Sequence, residues 1–270
     1  MILAQISDSH VCPVGGLSNG RVDTNTLFDQ AVRHLAGLTP VPDAVLFTGD
    51  LADMGRAEEY TVLAELLAPL AMPVYIIPGN HDDRDALRAA FPDHRYLPGE
   101  GPFLHYVIET HPLRLIGLDT LVPGEIHGEM CGARLDWLAA RLEEAPERPT
   151  LVFMHHPPFE TGLPMDRHMC RGGEAMGDII ARHPQVRRVV CGHVHRHVQI
   201  FWRGTIALTA PGTAHQVTLD LPPPGDSRGS TFNHEPPGFL LHMLRPDGNL
   251  LTHYAPCGVF PGPFPFYSGG

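Results

Sequence analysis

The hydrophobic pattern of the first two thirds of the chain alternates between two kinds of segment. Short apolar runs rich in β-branched residues predict strands buried on both faces, and apolar residues spaced three and four apart predict helices. The predicted strands are Ile2–Ile6, Ala44–Thr48, Val74–Ile77, Leu104–Ile108, Leu113–Leu118, Leu151–Met154 and Val186–Cys191. The predicted helices are Thr26–Leu35, Ala57–Leu70, Asp83–Ala90, Ala133–Glu144 and Glu174–His183. This alternation predicts a layered α/β domain.

The pattern changes after about Val198, where short strands and turn residues replace the helices. Two hairpins are predicted from paired apolar runs, Gln199–Trp202 with Thr205–Thr209 and Phe239–Leu244 with Leu250–Tyr254. A Pro-rich stretch at Leu221–Gly225 lies between them. The last residues, Cys257–Gly270, are rich in Pro, Gly and Phe, and we expect them to pack on the core or on a neighbouring subunit.

Charge and composition restrict the partners. The chain has 270 residues, 43% of them hydrophobic, and a net charge of −11 without a Lys/Arg-rich run. Binding to nucleic acid or to an anionic membrane is therefore not expected. Neither a leader-like segment nor an apolar run of bilayer length is present, so a cytoplasmic enzyme is expected. The five cysteines show no CxxC spacing; Cys257 is the candidate for an intersubunit bond, although a free thiol is favoured.

Five short blocks of polar residues follow predicted strands, at the position where an α/β sheet presents its site. They are Asp8-Ser9-His10, Gly49-Asp50, Gly79-Asn80-His81-Asp82, His155-His156 and Gly192-His193-Val194-His195. In an extended segment residues i and i+2 point the same way, so each pair of that spacing can serve one site. Two divalent metals bridged by a carboxylate need this set of His, Asp and Asn ligands to drive attack at phosphorus.

Each block alone allows a structural interpretation. Asp50 is either a bridging carboxylate or a helix N-cap. Asn80 offers a neutral amide oxygen to a second metal. His81 is expected to face the substrate as a proton donor, with Asp82 holding it in one tautomer.

Adjacent residues of a strand point to opposite sides, so only one of two neighbouring histidines is expected to bind metal. We assign this role to His155 and place His156 behind it or in the core. His193 and His195 each serve a metal in this interpretation. His215, in a Pro-Gly-Thr-Ala-His-Gln turn, either faces the substrate pocket or bonds to backbone, and the loop Asn19–Arg21 could border the same pocket.

Together the blocks resemble the calcineurin-like metallophosphoesterase superfamily. Longer contexts over residues 1–216 resemble its class III cyclic-nucleotide phosphodiesterase and bacterial glycerophosphodiesterase branch, notably Gly49-Asp50-Leu51-Ala52-Asp53, Pro78-Gly79-Asn80-His81-Asp82-Asp83, Met154-His155-His156-Pro157-Pro158 and Pro211-Gly212-Thr213-Ala214-His215-Gln216. The resemblance implies a four-layer α/β/β/α sandwich with a small C-terminal cap or oligomerisation segment. It divides the chain into a catalytic domain at 1–216 and a C-terminal segment at 217–270 that packs on the core.

The resemblance also implies a metal assignment. The first metal would be held by Asp8, His10, Asp50 and His195, and the second by Asp50, Asn80, His155 and His193. The two ions would be Fe, Mn, Zn or Co, which mixed N/O ligands suit better than Mg or Ca.

The expected activity is hydrolysis of small phosphodiesters, either 3′,5′-cyclic nucleotides or glycerophosphodiesters, by a metal-bound hydroxide. Asp50 and His81 are the expected catalytic residues, and Asn80, His81 and His215 the expected substrate contacts. Phosphomonoester or phosphonate monoester hydrolysis is the nearest alternative, and a protein-binding platform of low activity is a further one. The acidic charge disfavours a nuclease. A homo-oligomer is expected from the Phe/Pro-rich tail.

Overall fold

The structure is a computed structural model that describes residues 1–223, 226 and 228–266. Its strands, in chain order, are β1 Ile2–Ile6, β2 Ala44–Phe47, β3 Val74–Ile76, β4 Tyr106–Ile108, β5 Arg114–Leu118, β6 Gly128–Glu129, β7 Thr150–Met154, β8 Cys170–Arg171, β9 Val186–Cys191, β10 Val198–Trp202, β11 Thr205–Thr209, β12 Gln216–Val217, β13 Phe232–Asn233, β14 Gly238–Leu244 and β15 Leu250–Pro256. Its helices are α1 Thr24–Ala36, α2 Ala57–Leu67, α3 Arg84–Ala90, α4 Gly132–Glu143 and α5 Gly173–Ala181, with a 3₁₀ turn at Pro164–His168.

Two mixed sheets form the centre of the molecule. The first has the strand order β15-β14-β1-β2-β3 and the second the order β10-β11-β9-β7-β5-β4. Strands β1, β2 and β3 run parallel in the first sheet, and β5, β7, β9 and β11 run parallel in the second. Parallel strands end at a common edge, so the polar blocks that follow β1, β2, β3, β7 and β9 come together there.

Alternate residues of the strands pack on opposite sides of each sheet. In β1, Ile6 packs against α1 and α2 in one apolar layer, whereas Leu3 lies in a second layer between the two sheets. A third apolar layer joins the second sheet to α4 and α5. The order is therefore helices, sheet, sheet, helices, which confirms the predicted four-layer sandwich.

The hairpin at the C-terminal end extends the first sheet. Strand β14 pairs antiparallel with β1, with Ile2 opposite Met243, and β15 pairs with β14. Residues 238–256 therefore belong to the sandwich itself, packed on the core. The domain boundary between 216 and 217 stays a prediction, and Pro224, Gly225 and the end of the tail from Tyr267 lie outside the described residues.

The opposite end of the first sheet, strand β3, is covered by two tyrosines. The hydroxyl of Tyr96 accepts from the Ile76 amide at 3.0 Å and donates to the Val74 carbonyl at 2.8 Å. The hydroxyl of Tyr106 donates to the Ile76 carbonyl at 2.7 Å. These bonds occupy backbone groups that an edge strand normally leaves open.

The cysteines are all free thiols. Cys257 is buried in the first apolar layer, and burial raises its pKa to about 12. It is therefore poorly placed for the intersubunit bond considered from the sequence. Among the described residues, none of the helices is long and apolar enough to cross a membrane.

Candidate metal centre

The backbone turns sharply where the polar blocks leave the strands. Asp8, His10, Asp50, His193 and His195 have φ values between 43° and 70°. This left-handed region is costly for residues with a Cβ, and it is found mainly where a functional site requires it. These turns follow β1, β2 and β9, and with the blocks after β3 and β7 they bring side chains from five strand ends into one space.

The carboxylate of Asp50 lies at the middle of this space. Its Oδ2 is 3.7 Å from His10 Nε2 on one side and 3.3 Å from His155 Nε2 on the other. Its Oδ1 accepts from the backbone amide of His81 at 2.9 Å. Asp50 is only 2% exposed, so this carboxylate is shared between two groups of side chains away from bulk water.

The first group adds His195 and Asp8 to His10. The Nε2 atoms of His10 and His195 are 3.0 Å apart, and His195 Nε2 is 3.4 Å from Asp8 Oδ1. The backbone amide of His193 donates to both oxygens of Asp8, at 3.0 and 3.2 Å. The donor atoms of Asp8, His10, Asp50 and His195 all lie within 4.8 Å of one another.

The second group is centred on the side-chain oxygen of Asn80. Asn80 Oδ1 lies 3.2 Å from His155 Nε2 and 3.0 Å from His193 Nδ1. With Asp50 Oδ2 beside His155, donors from four strand ends converge, two in the first sheet and two in the second. The structure thus brings together all seven residues expected to bind metal.

Two glycines permit this close approach. A Cβ at Gly79 would lie 2.2 Å from Asp50 Oδ1, and a Cβ at Gly192 would lie 2.1 Å from Ser7 Oγ and 2.7 Å from the Thr48 carbonyl. Side chains at either position would push the strand ends apart. Packing therefore requires the glycines of the two blocks, since neither has a left-handed φ.

Burial and neighbouring charges set the protonation of the carboxylates. Burial raises the pKa of Asp8 to about 6, with His155 acting in the opposite direction. Burial also raises the pKa of Asp50, but His155 and His81 lower it more, and the net result is well below the usual range. Asp50 is therefore the carboxylate that is ionised most readily in this centre.

Hydrogen bonds determine which histidine nitrogens face the centre. His155 Nδ1 donates to the Thr48 carbonyl at 2.7 Å, and His195 Nδ1 donates to the His215 carbonyl at 3.0 Å. Bonded in this way, the two rings direct Nε2 at the centre, as metal-binding histidines do. Burial lowers the pKa of His155, but the neighbouring Asp50 raises it to about 9, so a metal bound there would replace a proton on Nε2. His193 Nε2 and His10 Nδ1 are buried without a hydrogen-bond partner among the described residues. The donor set fits two divalent metal ions.

His81 differs from the others because its ring is exposed at the mouth of the centre. Its Nδ1 lies 2.6 Å from the Asp53 carbonyl, which fixes the ring and leaves Nε2 free. Asp82 is committed elsewhere, since its carboxylate accepts from the Gly79 amide at 2.8 Å and from the Tyr60 hydroxyl at 2.9 Å. The expectation that Asp82 orients His81 is therefore wrong, and the backbone of Asp53 does so.

His156 lies beside His155 and His193, with ligand atoms of the three rings within 4.8 Å of one another, but both of its ring nitrogens have hydrogen-bond partners outside the centre. Its Nδ1 lies 2.8 Å from Thr120 Oγ1, and its Nε2 donates to the Ile126 carbonyl at 3.1 Å. The ring thereby ties the segment 120–126 to strand β7. This segment carries Ile126 to the mouth of the centre.

A cavity of about 200 Å³ opens above the two groups. Asn19 and His215 line it, as the sequence had suggested, and Asn80 and His81 also reach it. Sequence reasoning missed the rest of the wall: Ile126, Met165, Val217, Ser230, Thr231 and Phe232. These residues lie in segments without a motif, so only their tertiary position reveals them.

A four-layer sandwich with this donor set at its strand ends defines the class of metallophosphoesterases. The profile of the calcineurin-like phosphoesterase family matches residues 1–197. The chain belongs to this family, which confirms the resemblance seen in the sequence.

Individual relatives agree with this assignment. A probable glycerophosphodiester phosphodiesterase of Arcobacter nitrofigilis is 38% identical over 270 residues, covering 99% of this chain and 97% of that protein. The 3′,5′-cyclic adenosine monophosphate phosphodiesterase of Escherichia coli K12 is 33% identical over 211 residues, covering 78% of this chain and 73% of that protein. A dimetal phosphatase from Danio rerio shares the fold, with a TM-score of 0.67 over 96% of this chain and 99% of its own, at 15% identity. The expected enzyme class, a metal-dependent phosphodiesterase, is confirmed by these relatives.

Proposed function

We propose that this chain hydrolyses small phosphodiesters at a binuclear metal centre, with a glycerophosphodiester or a 3′,5′-cyclic nucleotide as its substrate. The names of the relatives at 38% and 33% identity describe these two substrate types. The proposal names the class of bond that is cleaved, and it leaves the choice between the two substrates to experiment.

One observation carries the proposal: two groups of donor atoms share a single buried carboxylate. Asp50 Oδ2 is within 3.7 Å of His10 Nε2 and within 3.3 Å of His155 Nε2. The first metal would be held by Asp8, His10, Asp50 and His195, and the second by Asp50, Asn80, His155 and His193. Mixed imidazole, carboxylate and amide donors suit Fe, Mn, Zn or Co.

Two bound divalent ions supply a water-derived nucleophile at neutral pH and neutralise charge on the phosphoryl oxygens. The chain contributes the remaining steps. His81, held through Nδ1–H by the Asp53 carbonyl, directs Nε2 into the cavity; in its doubly protonated form it donates the Nε2 proton to the departing alkoxide and becomes neutral. Because this hydrogen bond fixes the orientation of the His81 ring, the proton donor is already in position before the reaction.

The charge of the cavity favours a diester over a monoester. The described lining of the cavity contains neither lysine nor arginine, and its one carboxylate is the metal-binding Asp50. A phosphomonoester dianion would lack the guanidinium partners that usually accompany it. A diester carries a single charge, which the metals alone can balance.

The test uses metal-stripped protein reloaded with Mn. Hydrolysis of bis(4-nitrophenyl) phosphate and of 4-nitrophenyl phosphate is compared at equal concentration, with the stripped protein as control. Metal-dependent turnover that favours the diester supports the proposal. A preference for the monoester would assign the chain to phosphatases, and turnover of neither compound would favour a binding platform.

Two further parts of the proposal concern the state of the protein in the cell. Five free cysteines fit a reducing compartment, so we place the enzyme in the cytoplasm. Phe264 and Phe266 are 76% and 100% exposed in the tail, which supports association of the chain with copies of itself. Light scattering that gives a monomer at micromolar concentration would exclude the oligomer.

A further inference from the structure

One wall of the cavity above the metal centre is apolar. Phe232, Met165, Val217 and Ile126 form this wall, and the first three are buried or half-buried. Ile126 is 51% exposed at the rim. Apolar side chains around a catalytic cavity are available to contact the part of a substrate that does not react.

The aromatic ring of Phe232 is held in position by its strand. Phe232 lies opposite Val217 in the antiparallel pair of β12 and β13. Its ring packs against the ring of His215, with 4.9 Å between centroids and an interplanar angle of 62°. His215 in turn lies 4.7 Å from the ring of His195, a metal-binding residue of the proposal. A single side chain, that of His215, thus separates the ring of Phe232 from the proposed ligand His195.

The polar groups of the same wall are uncharged. Asn19, Ser230 and Thr231 supply amide and hydroxyl groups, and charged residues other than the proposed ligand Asp50 do not occur in the described lining, histidines excepted. A charged substituent would find no opposite charge here. A flat, uncharged group could stack on the Phe232 ring while its edge reaches the amide and hydroxyls.

A second cavity of about 490 Å³ opens on the other side of His81. Asn80 and His81 line both cavities, whereas the second one also has charged residues such as Asp83, Asp85 and Arg88 beside apolar ones such as Met54 and Leu121. A diester has two substituents on phosphorus. Each can therefore occupy its own cavity, and the two cavities differ in polarity.

We propose that Phe232 is a specificity-determining residue, which selects phosphodiesters carrying a flat aromatic substituent, such as an aryl group or a nucleobase, on one side of phosphorus. This inference rests on the proposed function and deepens it, because it names the substituent that the site prefers. It favours the cyclic nucleotide over the glycerophosphodiester.

The kinetic test compares two substrates that release the same leaving group. Bis(4-nitrophenyl) phosphate retains an aryl group on phosphorus, and methyl 4-nitrophenyl phosphate retains a methyl group. We expect Phe232→Ala to lower the preference for the aryl compound in kcat/KM by about five- to tenfold, through KM, because an aromatic pair contributes on that scale. The methyl compound serves as the reference, because the ratio of the two kcat/KM values cancels any loss that is common to both substrates.

Two variants control for structural damage. Phe232→Leu retains most of the apolar volume and should lose part of the preference. Phe201→Ala removes a phenylalanine that is 76% exposed on β10, in the second sheet, and should lose none. Thermal unfolding of all variants identifies any that is misfolded.

A binding measurement keeps the inference testable if the wild type proves inactive. Calorimetry on the Mn-loaded protein compares methyl(phenyl)phosphinate with dimethylphosphinate, neither of which can be hydrolysed. Tighter binding of the phenyl compound that disappears in Phe232→Ala supports the inference. An aryl preference that is equal in wild type and Phe232→Ala overturns it, even when diester hydrolysis itself is intact.

Discussion

Replacing Gly79 by alanine would place a methyl group in space that Asp50 already occupies. The Cβ would lie 2.2 Å from Asp50 Oδ1 and 2.3 Å from the Asp50 backbone nitrogen, whereas ordinary contacts begin at 3.4 Å. The ends of β2 and β3 would have to separate by about 1 Å to relieve this contact. Because the obstacle includes backbone, a change of rotamer cannot remove it.

The packing around Gly79 determines how much free energy of unfolding Gly79→Ala should lose. Inserting a methyl group into a close-packed site typically destabilises by about 1–3 kcal/mol. The backbone contact places Gly79→Ala at the upper end, and the melting temperature should fall by roughly 5 °C in a chain of this size. A displaced Asp50 should also weaken metal binding by about 10- to 100-fold, as loss of ligand positioning usually does.

The assay combines melting curves of the metal-stripped protein with metal content after dialysis against Mn. Gly99→Ala is the matched control, because its Cβ would meet open space and neither glycine has a left-handed φ. The control should melt and bind metal like the wild type. If Gly79→Ala did the same, the tight approach of the two strand ends would not be a requirement of the site.

Three other substitutions test separate parts of the structure. Asp50→Ala should lose both metals, and full occupancy in mass spectrometry would contradict a shared carboxylate. His81→Ala should keep its metals but lose about 10²- to 10⁴-fold in kcat. The control is His253→Ala, which changes an exposed histidine on β15. Equal rates for the two variants would contradict the role of His81 as proton donor. Burial lowers the pKa of His242 to about 3 in the folded protein. Between that value and the unfolded pKa near 6.5, only the unfolded chain binds this proton, so the free energy of unfolding decreases as the pH is lowered. His242→Gln should reduce the loss of unfolding free energy between pH 7 and pH 5 by about 2 kcal/mol; denaturant titrations with unchanged pH dependence would refute this.

The fold was predictable wherever a local pattern determined it. The ranges predicted for β1, β9 and β11 agree with the structure, because each is a compact apolar run between turn residues. The two-residue strands β6 and β8 were not predicted, since a bridge of that length has no periodicity. The last hairpin was recognised, but its pairing with β1 was not, because a contact between the two ends of the chain leaves no local signal.

In the site, too, the residues that belong to sequence motifs were predictable, whereas contacts that depend on the tertiary structure were not. The seven expected ligands could be proposed from the sequence because each belongs to a short block at a strand end, and the structure brings them together. The partner of His81 was misassigned to the neighbouring Asp82, because the actual partner is a backbone carbonyl, of Asp53, that no residue type reveals. Phe232 was overlooked, since a single phenylalanine in a Pro/Gly-rich region resembles ordinary packing.

The tyrosine hydroxyls on strand β3 restrict how the molecule can grow into larger assemblies. An incoming strand at that flank would have to break the bonds of Tyr96 and Tyr106 before it could form its own. The opposite flank ends in β15 of one sheet and β10 of the other. In the first sheet, strand addition is therefore directed to β15, which limits an assembly through this sheet to pairs rather than open-ended stacks.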